Sequence, residues 1–405
     1  MRGTIWPVMC GIFFLAGILF AAPVWAADSI KVGIVDCYSG PPSTYTIDVR
    51  DAFIQEVEKI NSQGGVLGKT IEYTTRDSKF QVSTGLSAAK ELIMRENVDI
   101  LMGTINSALA LAISDLAQAE KIPFLATFAK SEKITGSKGH RYVFGMNENT
   151  AMAGKAAAVA LADMPFTTYW IGGDDYEYGH AIAESVWNNL KELKPEVELL
   201  GQSWWKVGEP DFTPYITSML SAQPDAAIIA TGGADCVPFL KSAKSTGFAQ
   251  KIPFYMHTAT ELATLKPLGD QAPEGVLGTS NYFFYHPESE KNQEFVQAFR
   301  DNYERYPTVG ALYGYTAAKF IVEGLKKAGE VDTEKFIDAV EGMSVDSPVG
   351  ELSLRAYDHQ VMFPMFMGKT TKDPKYDFLV AKDIVTIPAD QVVPSLEEIK
   401  EARGE

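Results

Sequence analysis

The chain has 405 residues, of which 36 are basic and 52 acidic, for a formal net charge of −16 at pH 7. This acidity argues against nucleic acid and anionic lipid surfaces as partners and says little about a ligand. The length is too great for one typical hydrophobic core, so two domains are expected.

The N-terminus has the features of a secretory signal peptide. Arg2 gives a basic start, 12–22 is apolar and uncharged, and Val24-Trp25-Ala26 offers small residues at the usual cleavage offsets. A membrane anchor is the alternative, but the apolar run is short for a span. Cleavage near Ala26 leaves 405 − 26 = 379 residues.

The first third of the chain alternates short apolar segments with helical patterns. After the first helical pattern, Gly64 and Gly65 indicate a helix C-cap, because glycine readily adopts the left-handed backbone that such a cap needs. The pattern predicts strands at 30–37, 70–75, 98–103, 124–127 and 142–146, and helices at 49–60, 83–96 and 107–120.

The same alternation then begins again. It predicts helices at 150–163, 180–193, 212–221 and 235–246, and strands at 168–172, 197–205, 226–231 and 254–257. Alternation of this kind is typical of parallel sheets covered by helices on both faces. The fold class is therefore α/β, with two doubly wound parallel-sheet lobes.

The remainder is less regular. We predict a strand at 275–282, helices at 289–305 and 309–328, a helix capped by Asp332 that runs to residue 341, and extended segments at 347–354 and 362–367. The polar stretch 369–405 is expected to decorate one lobe. A Pro/Ser/Gly linker is missing from the sequence, which favours abutting lobes that the chain crosses several times.

Motifs of common enzymes are missing from the sequence: G-x-G-x-x-G, the Walker loop, G-x-S-x-G, H-E-x-x-H and C-x-x-C. The best metal candidate groups Asp174, Asp175, Glu177 and His180, but it lacks the alternating spacing of a calcium loop. A polar loop between a strand and a helix explains it better. We predict no catalytic residue, metal or cofactor.

Two cysteines, Cys37 and Cys236, remain after the predicted cleavage. They are far apart in sequence and fall in different predicted lobes. A disulfide between them stays open, although two free thiols are the simpler interpretation.

Candidate ligand-binding residues lie where predicted parallel strands end, since ligands of open α/β sheets bind at that edge, near helix N-termini. Ser107 can cap its helix or offer its hydroxyl and nearby N–H groups to a carboxylate, and these two roles are compatible. Lys130 is either a second anion contact or a solvated lysine. The full set, which includes aromatic side chains able to close over a small ligand, is Tyr45, Ile105, Asn106, Ser107, Phe128, Ala129, Lys130, Tyr176, Tyr178, Gly232 and Thr258.

Several short motifs, weak singly, follow one order along nearly the whole chain. They are Ser39-Gly40-Pro41, the turn 61–68, Gly103-x-x-x-Ser107, Asp175-Tyr176-x-Tyr178-Gly179, Asp211-Phe212-Thr213, Lys244-x-x-Gly247 and the segment 311–315. In this order and spacing the chain resembles the leucine/isoleucine/valine-binding type of periplasmic substrate-binding protein that serves ABC importers.

The resemblance implies two lobes joined by three crossovers and a hinge that closes on a ligand. One lobe would comprise 27–148 plus 281–350, and the other 149–280 plus 351–405. It also implies a periplasmic monomer without enzymatic activity, which carries a small carboxylate or amino-acid-like solute to the permease subunits.

By position, the resemblance gives Ser107 the role of the serine that binds the ligand carboxylate, with Tyr45 and Tyr178 as cleft tyrosines. Lys130 stands where the family has a carboxylate-binding threonine. Thr258 stands near the family's ammonium-binding acid, with Glu261 as a possible substitute. Gly232 replaces an aromatic residue of some members.

A pocket that contains the Lys130 cation but no certain anion would disfavour a ligand with an α-ammonium group, because an unpaired buried charge is costly. Lys130 and Thr258 therefore suggest a carboxylate without an amine, such as an aromatic or small aliphatic acid. A ligand-sensing receptor that acts through a separate signalling partner is the alternative function, and a secreted enzyme with an unfamiliar site is a third.

Overall fold

The computed structural model describes residues 29–40 and 42–405, together with Met1 and Gly3. The rest of the predicted signal peptide, and Pro41, lie outside the described residues. Among the helices described, none combines the length and the apolar character that crossing a bilayer requires.

The first sheet follows the predicted alternation closely. Its strands are β1 (Ile30–Asp36), β2 (Ile71–Asp77), β3 (Ile100–Gly103), β4 (Phe124–Ala126) and β5 (Val143–Gly145). The helices between them are α1 (Ser43–Ser62), α2 (Val82–Met94) and α3 (Ser107–Glu120). All the strand pairs are parallel, in the order β2-β1-β3-β4-β5. The predicted doubly wound lobe is confirmed.

The second half repeats this arrangement. Its elements are α4 (Thr150–Ala162), β6 (Thr168–Asp174), α5 (Glu177–Leu193), β7 (Glu198–Trp205), α6 (Thr213–Ala222), β8 (Ala226–Ala230), α7 (Cys236–Ser245), α8 (Phe248–Lys251), β9 (Phe254–Met256), α9 (Leu262–Leu268) and β10 (Leu277–Ser280). These strands pair in parallel in the order β7-β6-β8-β9-β10.

The remaining elements complete both halves. They are α10 (Glu290–Tyr303), α11 (Val309–Ala328), α12 (Thr333–Val340), β11 (Ser344–Ser347), β12 (Gly350–Leu354), β13 (Val361–Met362), β14 (Met365–Thr371), β15 (Val380–Ile387) and α13 (Leu396–Arg403). Strands β14 and β15 add antiparallel to β10, and β11-β12-β13 form a small separate sheet.

The stretch 369–405, expected to decorate one lobe, also contains a strand that was not predicted, because Val380–Ile387 forms the edge strand β15 of the second sheet. Its middle is exposed and carries Lys382 and Asp383. Charged side chains are common on edge strands, where they discourage pairing with other chains. They also hide the apolar alternation from which strands are predicted.

Local signals explain where several helices begin and end. Helix α1 ends at the predicted glycine turn: Gly65 has φ +75°, and a Cβ atom there would lie 1.9 Å from the Lys69 carbonyl oxygen. The Gly65 N–H donates to the Ile60 carbonyl at 3.0 Å. Asp332 caps α12 as predicted, since its side chain accepts the Lys335 N–H at 3.0 Å.

The long helix α11 packs closely on α1. Cβ atoms added at Gly310 and Gly314 would lie 2.3 Å from the Tyr45 carbonyl oxygen and 2.0 Å from the Val49 carbonyl oxygen. Only glycine permits this approach of the two backbones. The packing holds the N-terminal half of α11 beside the start of α1, where the candidate site begins.

The lobe boundaries stay a proposal, and contacts favour a modified form of it. The Gln360 amide donates to the Asn147 carbonyl at 2.7 Å, and the Arg403 guanidinium donates to the Thr135 carbonyl at 3.0 Å. These contacts lie with the first sheet, although 351–405 was predicted to belong to the second lobe. We therefore propose that β12, β13 and α13 belong to the first lobe.

Candidate ligand site

The N-terminus of α3 presents unpaired donors at the edge of the first sheet. Asn106, not Ser107, caps this helix, because its side chain accepts the Leu109 N–H at 3.1 Å. The predicted capping role of Ser107 is therefore wrong. Among the described residues, the backbone N–H groups of Ser107 and Ala108 have no acceptor, so this end can receive an anion.

Three aromatic rings from different elements pack together nearby. Tyr45 of α1 lies 5.1 Å from Phe128, and Phe128 lies 5.2 Å from Tyr313 of α11, both measured between ring centroids. The Lys130 ammonium lies 4.6 Å from the Phe128 centroid. The geometry gives an apolar wall with a cation over its faces.

Lys130 is neither a solvated lysine nor an unpaired cation. Its ammonium forms an ion pair with Glu148, whose side chain is 1% exposed and is also bonded to the Tyr313 hydroxyl group. His257 Nε2 of the second lobe lies 3.8 Å from the same carboxylate. Burial works to raise the pKa of Glu148, but Lys130 and His257 outweigh it and lower the pKa to about 2.

Glu261 is a second buried carboxylate in this region. Its Oε2 accepts the Tyr45 hydroxyl at 2.7 Å, a hydrogen bond that joins the two lobes. Burial raises the pKa of Glu261, although His257 and Lys130 oppose that effect. With Glu148 and Glu261 present, the expectation of an added cation without a certain anion is wrong.

A second aromatic group lines the edge of the other sheet. The rings of Tyr176 and Tyr178 lie 6.0 Å apart. A Cβ atom added at Gly232 would lie 2.7 Å from Tyr178 Cε1 and 3.4 Å from the Tyr176 hydroxyl oxygen. Gly232 therefore stands against these tyrosines, and a larger residue there would displace them.

Both described cysteines are buried free thiols, which confirms the simpler of the two predictions. The Cys37 thiol donates to the Ser39 carbonyl at 3.0 Å. Cys236 Sγ lies 3.1 Å from Thr258 Oγ1, so Thr258 meets a thiol beside the candidate site. Burial raises the pKa of Cys236 to about 12, so this sulfur is a neutral neighbour.

The structure brings the predicted site residues into separate groups. Tyr45, Phe128 and Lys130 form one, and Tyr176, Tyr178 and Gly232 form another. Among the described residues, no hydrogen bond or ring contact joins Ser107 to either group. Three further predicted residues form hydrogen bonds that hold loops in place. The Ile105 N–H donates to Asp36 at 2.9 Å, and the Asn106 side-chain amide donates to the Phe80 carbonyl at 3.2 Å. The Ala129 carbonyl accepts the Asn147 side-chain amide at 2.9 Å.

The weak metal candidate is dispersed. Asp174 turns inward to Trp205, Asp175 pairs with His180 at 2.8 Å, and Glu177 pairs with Lys133 at 2.8 Å. The described part of the chain holds no group of three or more potential metal ligands. The Lys133–Glu177 pair instead links the rims of the two lobes.

A small cleft that opens to solvent borders the Tyr45–Glu261 contact, and its enclosed space of about 10 Å³ is roughly that of one water molecule. Of the predicted site residues, Tyr45 alone lines it. Its wall also contains the hydroxyl-bearing residues Thr260 and Thr308, whose Oγ1 atoms are buried without a partner among the described residues. The cleft thus lies where Tyr45 meets the segments that follow β10 and precede α11.

Sequence reasoning missed Glu148, and it did not assign Tyr313 a place in the site. The signal for Glu148 was weak but present: the polar triplet Asn147-Glu148-Asn149 follows the last strand of the first sheet, where the chain leaves for α4. Asn149 caps α4 by accepting the Met152 N–H at 3.0 Å. Glu148 is the member of the triplet without such a local role.

Comparisons with known proteins agree with this architecture. The family model described as "Periplasmic binding protein" matches residues 29–375. The Leu/Ile/Val-binding protein homolog 4 of Brucella melitensis is 25% identical, and the alignment covers 96% of each chain. The leucine-, isoleucine-, valine-, threonine- and alanine-binding protein of Pseudomonas aeruginosa is also 25% identical, over 82% of this chain and 87% of its own.

Solved structures share the fold. A solute-binding protein of an ABC transporter from Rhodopseudomonas palustris HaA2, in complex with p-hydroxybenzoic acid, superposes with a TM-score of 0.81 at 22% identity, over 89% of this chain and 98% of that one. The leucine-, isoleucine-, valine-, threonine- and alanine-binding protein of Brucella ovis, in a closed conformation, gives 0.81 at 22%, over 91% and 98%.

Proposed function

Because the chain belongs to the periplasmic binding protein family, we propose that it is the solute-binding component of an ABC importer and traps a small carboxylate between its lobes. Export to the periplasm and docking of the closed form on permease subunits are parts of this proposal. Relatives are named as binders of aliphatic amino acids, and structural neighbours hold hydroxybenzoates or benzoate. What these ligands share is a carboxylate on a compact, largely apolar body.

The observation that carries the proposal is the pair of unpaired N–H groups at the start of α3. A ligand carboxylate placed against Ser107 and Ala108 would receive these N–H groups, the Ser107 hydroxyl and the positive end of the helix dipole. The aromatic wall of Tyr45 and Phe128, and the ring of Tyr178 at the edge of the second sheet, suit the apolar body of such a ligand.

The two buried carboxylates narrow the ligand class. Glu148 is already paired with Lys130, but Glu261 has the Tyr45 hydroxyl as its hydrogen-bond donor. A ligand with a donor opposite its carboxylate, such as an ammonium or a phenolic hydroxyl, can bond Glu261 on closure. A plain aliphatic acid offers no donor there and leaves a buried acceptor less satisfied. We therefore expect amino acids or hydroxybenzoates to bind more tightly than a donor-free acid.

A ligand panel tests the proposal. Thermal-shift and calorimetric titrations would use leucine, valine, alanine, 4-hydroxybenzoate, benzoate and hexanoate. At a concentration of 100 times Kd, a ligand should stabilise the protein by about 2.7 kcal/mol. Glu261→Gln should weaken the donor-bearing ligands selectively, and Ser107→Ala should weaken all carboxylates. Failure of every member to bind, or catalytic depletion of a ligand beyond one equivalent, would refute the function.

A further inference from the structure

A buried aspartate ends the first strand of the first sheet and holds two loops. Asp36, the last residue of β1, is 1% exposed. Its Oδ1 accepts the N–H of Cys37 at 2.8 Å and the N–H of Ile105 at 2.9 Å. The Thr104 hydroxyl lies 3.3 Å from the same oxygen. One carboxylate thus fixes the chain after β1 and the chain after β3.

The second sheet contains the same arrangement, in which a buried aspartate at the end of a strand accepts hydrogen bonds from a neighbouring loop. Asp174, the last residue of β6, is also 1% exposed. Its Oδ2 accepts the Gly232 N–H at 2.9 Å, and its Oδ1 accepts the Trp205 indole N–H at 2.7 Å together with the Thr231 hydroxyl. This carboxylate fixes the chain after β8.

The two arrangements occupy equivalent places in the two lobes. In the orders β2-β1-β3 and β7-β6-β8, each aspartate ends the middle strand, beside the topological switch point where open sheets bind ligands. Each threonine directly follows the neighbouring strand, and the next residue donates its N–H. A carboxyl group is costly to bury, so its repetition at this edge calls for a reason beyond local stability.

We propose that Asp36 and Asp174 are a matched pair of positioning residues, which fix the β3–α3 loop before Ser107 and the β8 loop at Gly232 in the geometry that receives the solute. Ile105 lies two residues before Ser107, so the bond to Asp36 sets how α3 aims its free N–H groups. The bond from Gly232 to Asp174 sets the surface against which Tyr178 packs. The effect on binding rests on the proposed function, but the loop fixation itself does not.

Matched controls lie at the opposite edge of each sheet. Asp99, just before β3, accepts the Lys31 N–H at 2.8 Å. Asp225, just before β8, accepts the N–H groups of Thr167 and Thr168 at 2.9 Å each. These aspartates also accept backbone N–H groups at a strand end, but away from the candidate site. Asp99 is half-buried and Asp225 is exposed, so these controls report the loss of a strand-end hydrogen bond away from the candidate site.

The first test measures amide hydrogen exchange without ligand in Asp36→Ala, Asp174→Ala, Asp99→Ala and Asp225→Ala. Loss of a hydrogen bond to a buried carboxylate should speed exchange of the Ile105 amide in the first variant and the Gly232 amide in the second by at least about tenfold. The two controls should leave both amides within about threefold of wild type. Unchanged exchange in the Asp36 and Asp174 variants would overturn the proposal.

Asparagine variants give a sharper test that also serves if an alanine variant does not fold. Within the described part of the chain, the hydrogen bonds to Asp36 all use one oxygen, so Asp36→Asn can keep them. Those to Asp174 use both oxygens, so Asp174→Asn must lose the Gly232 N–H or the donors on Oδ1. Ile105 exchange should stay within about threefold in Asp36→Asn, while Asp174→Asn should speed exchange of the Gly232 amide or the Trp205 indole about tenfold. Equal behaviour of the two variants would contradict the geometry.

Ligand affinities of the same variants separate two claims: that the aspartates fix the loops, and that this fixation supports ligand binding. With a ligand found in the panel, Asp174→Asn should weaken binding about tenfold and Asp225→Ala by less than about twofold. Equal losses in both would show that Asp174 acts only through stability. If the panel yields no ligand, the exchange data still decide whether the aspartates fix the loops.

Discussion

The two lobes build the same aspartate arrangement in different surroundings. Opposite Asp174 in the strand register is Trp205 of β7, whose indole donates to the carboxylate. Opposite Asp36 is Asp77 of β2. The Asp77 carboxylate accepts the N–H groups of Tyr38 and Lys79 and offers no hydrogen-bond donor to Asp36. Asp36 Oδ2 is consequently buried without a partner among the described residues. The fold therefore fixes the position of the carboxylate. The residue opposite it on the neighbouring strand determines whether both carboxylate oxygens receive a hydrogen bond.

This difference alters the charge balance of each lobe. Burial raises the pKa of Asp36 to about 7, and the negative charge of Asp77 adds to that effect. Burial also raises the pKa of Asp174, but only to about 6, because Thr231, Gly232 and Trp205 stabilise its ionised form. Burial therefore raises the pKa of the aspartate in both lobes, and hydrogen bonds to the ionised form oppose that effect in both.

The largest expected effect on the free energy of unfolding comes from breaking the Lys130–Glu148 ion pair, which lies where the chain crosses between the lobes. Glu148→Gln removes the carboxylate that pairs with Lys130 and leaves that ammonium largely buried. Loss of one partner of a buried pair should lower the free energy of unfolding by about 3 kcal/mol, measured by urea denaturation at pH 7. In the wild type, the pKa of Glu148 is lowered to about 2, so its stabilisation is present above about pH 4.5 and is lost as pH falls towards 2. A variant as stable as wild type would show that the pair contributes nothing.

Trp205→Phe should make the second lobe resemble the first. It removes the indole donor from Asp174 and loosens a ring that is 1% exposed and stacks on Phe239 at 5.4 Å. We expect a loss of about 2 kcal/mol in the free energy of unfolding and a higher pKa for Asp174. Trp204→Phe is the matched control, because its ring is less buried and its indole bonds Gln202. Equal losses in the two variants would contradict the role of the indole bond.

Asp36→Asn should remove the part of the pH dependence of the free energy of unfolding that comes from Asp36 in the first lobe. A carboxyl group whose pKa is raised on folding contributes stability that is present below its unfolded pKa, near 4, and is lost as pH rises through about 7. Wild-type stability should therefore decline between pH 4 and 7 by up to about 1.4 kcal/mol per pH unit from this group. Denaturation curves of Asp36→Asn should show a shallower decline, and an unchanged slope would place the titration elsewhere.

The smallest effect is expected at the exposed rims. Lys133 and Glu177 link the lobes at 2.8 Å, but their side chains are 48% and 75% exposed. Lys133→Ala should change the free energy of unfolding by no more than about 0.5 kcal/mol, because solvent and salt screen such pairs. A loss as large as that of Glu148→Gln would mean that the rims hold the lobes together.

Much of the fold could be predicted because local signals coincided with the tertiary structure. Helices α3 and α11 begin and end at the predicted residues, Ser107–Glu120 and Val309–Ala328, because their apolar periodicity is clear and Gly329 ends α11. Strand β15 was missed because an exposed edge strand needs little apolar sequence. Lobe assignment of 351–405 stays a prediction, because it depends on contacts of single side chains such as Gln360 and Arg403, which sequence patterns do not reveal.

The candidate site was less predictable, because its chemistry depends on partners distant in sequence. Lys130 was placed at the right sheet edge, but its pairing with Glu148 arises only where the chain crosses between lobes. The cap at Asn106 instead of Ser107 reflects a shift of one residue, which pattern alone does not resolve. Asp36 and Asp174 had a readable signal, since each ends an apolar strand with an acid, but only the sheet order reveals that they are equivalent.

The distance between the two rims tests most directly whether the lobes close on a small carboxylate. Phe80 and Val207 are 50% and 57% exposed, and they follow the C-terminal ends of β2 in the first sheet and β7 in the second. Spin labels on Phe80→Cys and Val207→Cys, with the unsubstituted protein as the labelling control, would report the distance by pulsed electron paramagnetic resonance. Addition of a ligand from the panel should convert a broad distribution into one short distance. Saturating binding with an unchanged distribution would contradict the account.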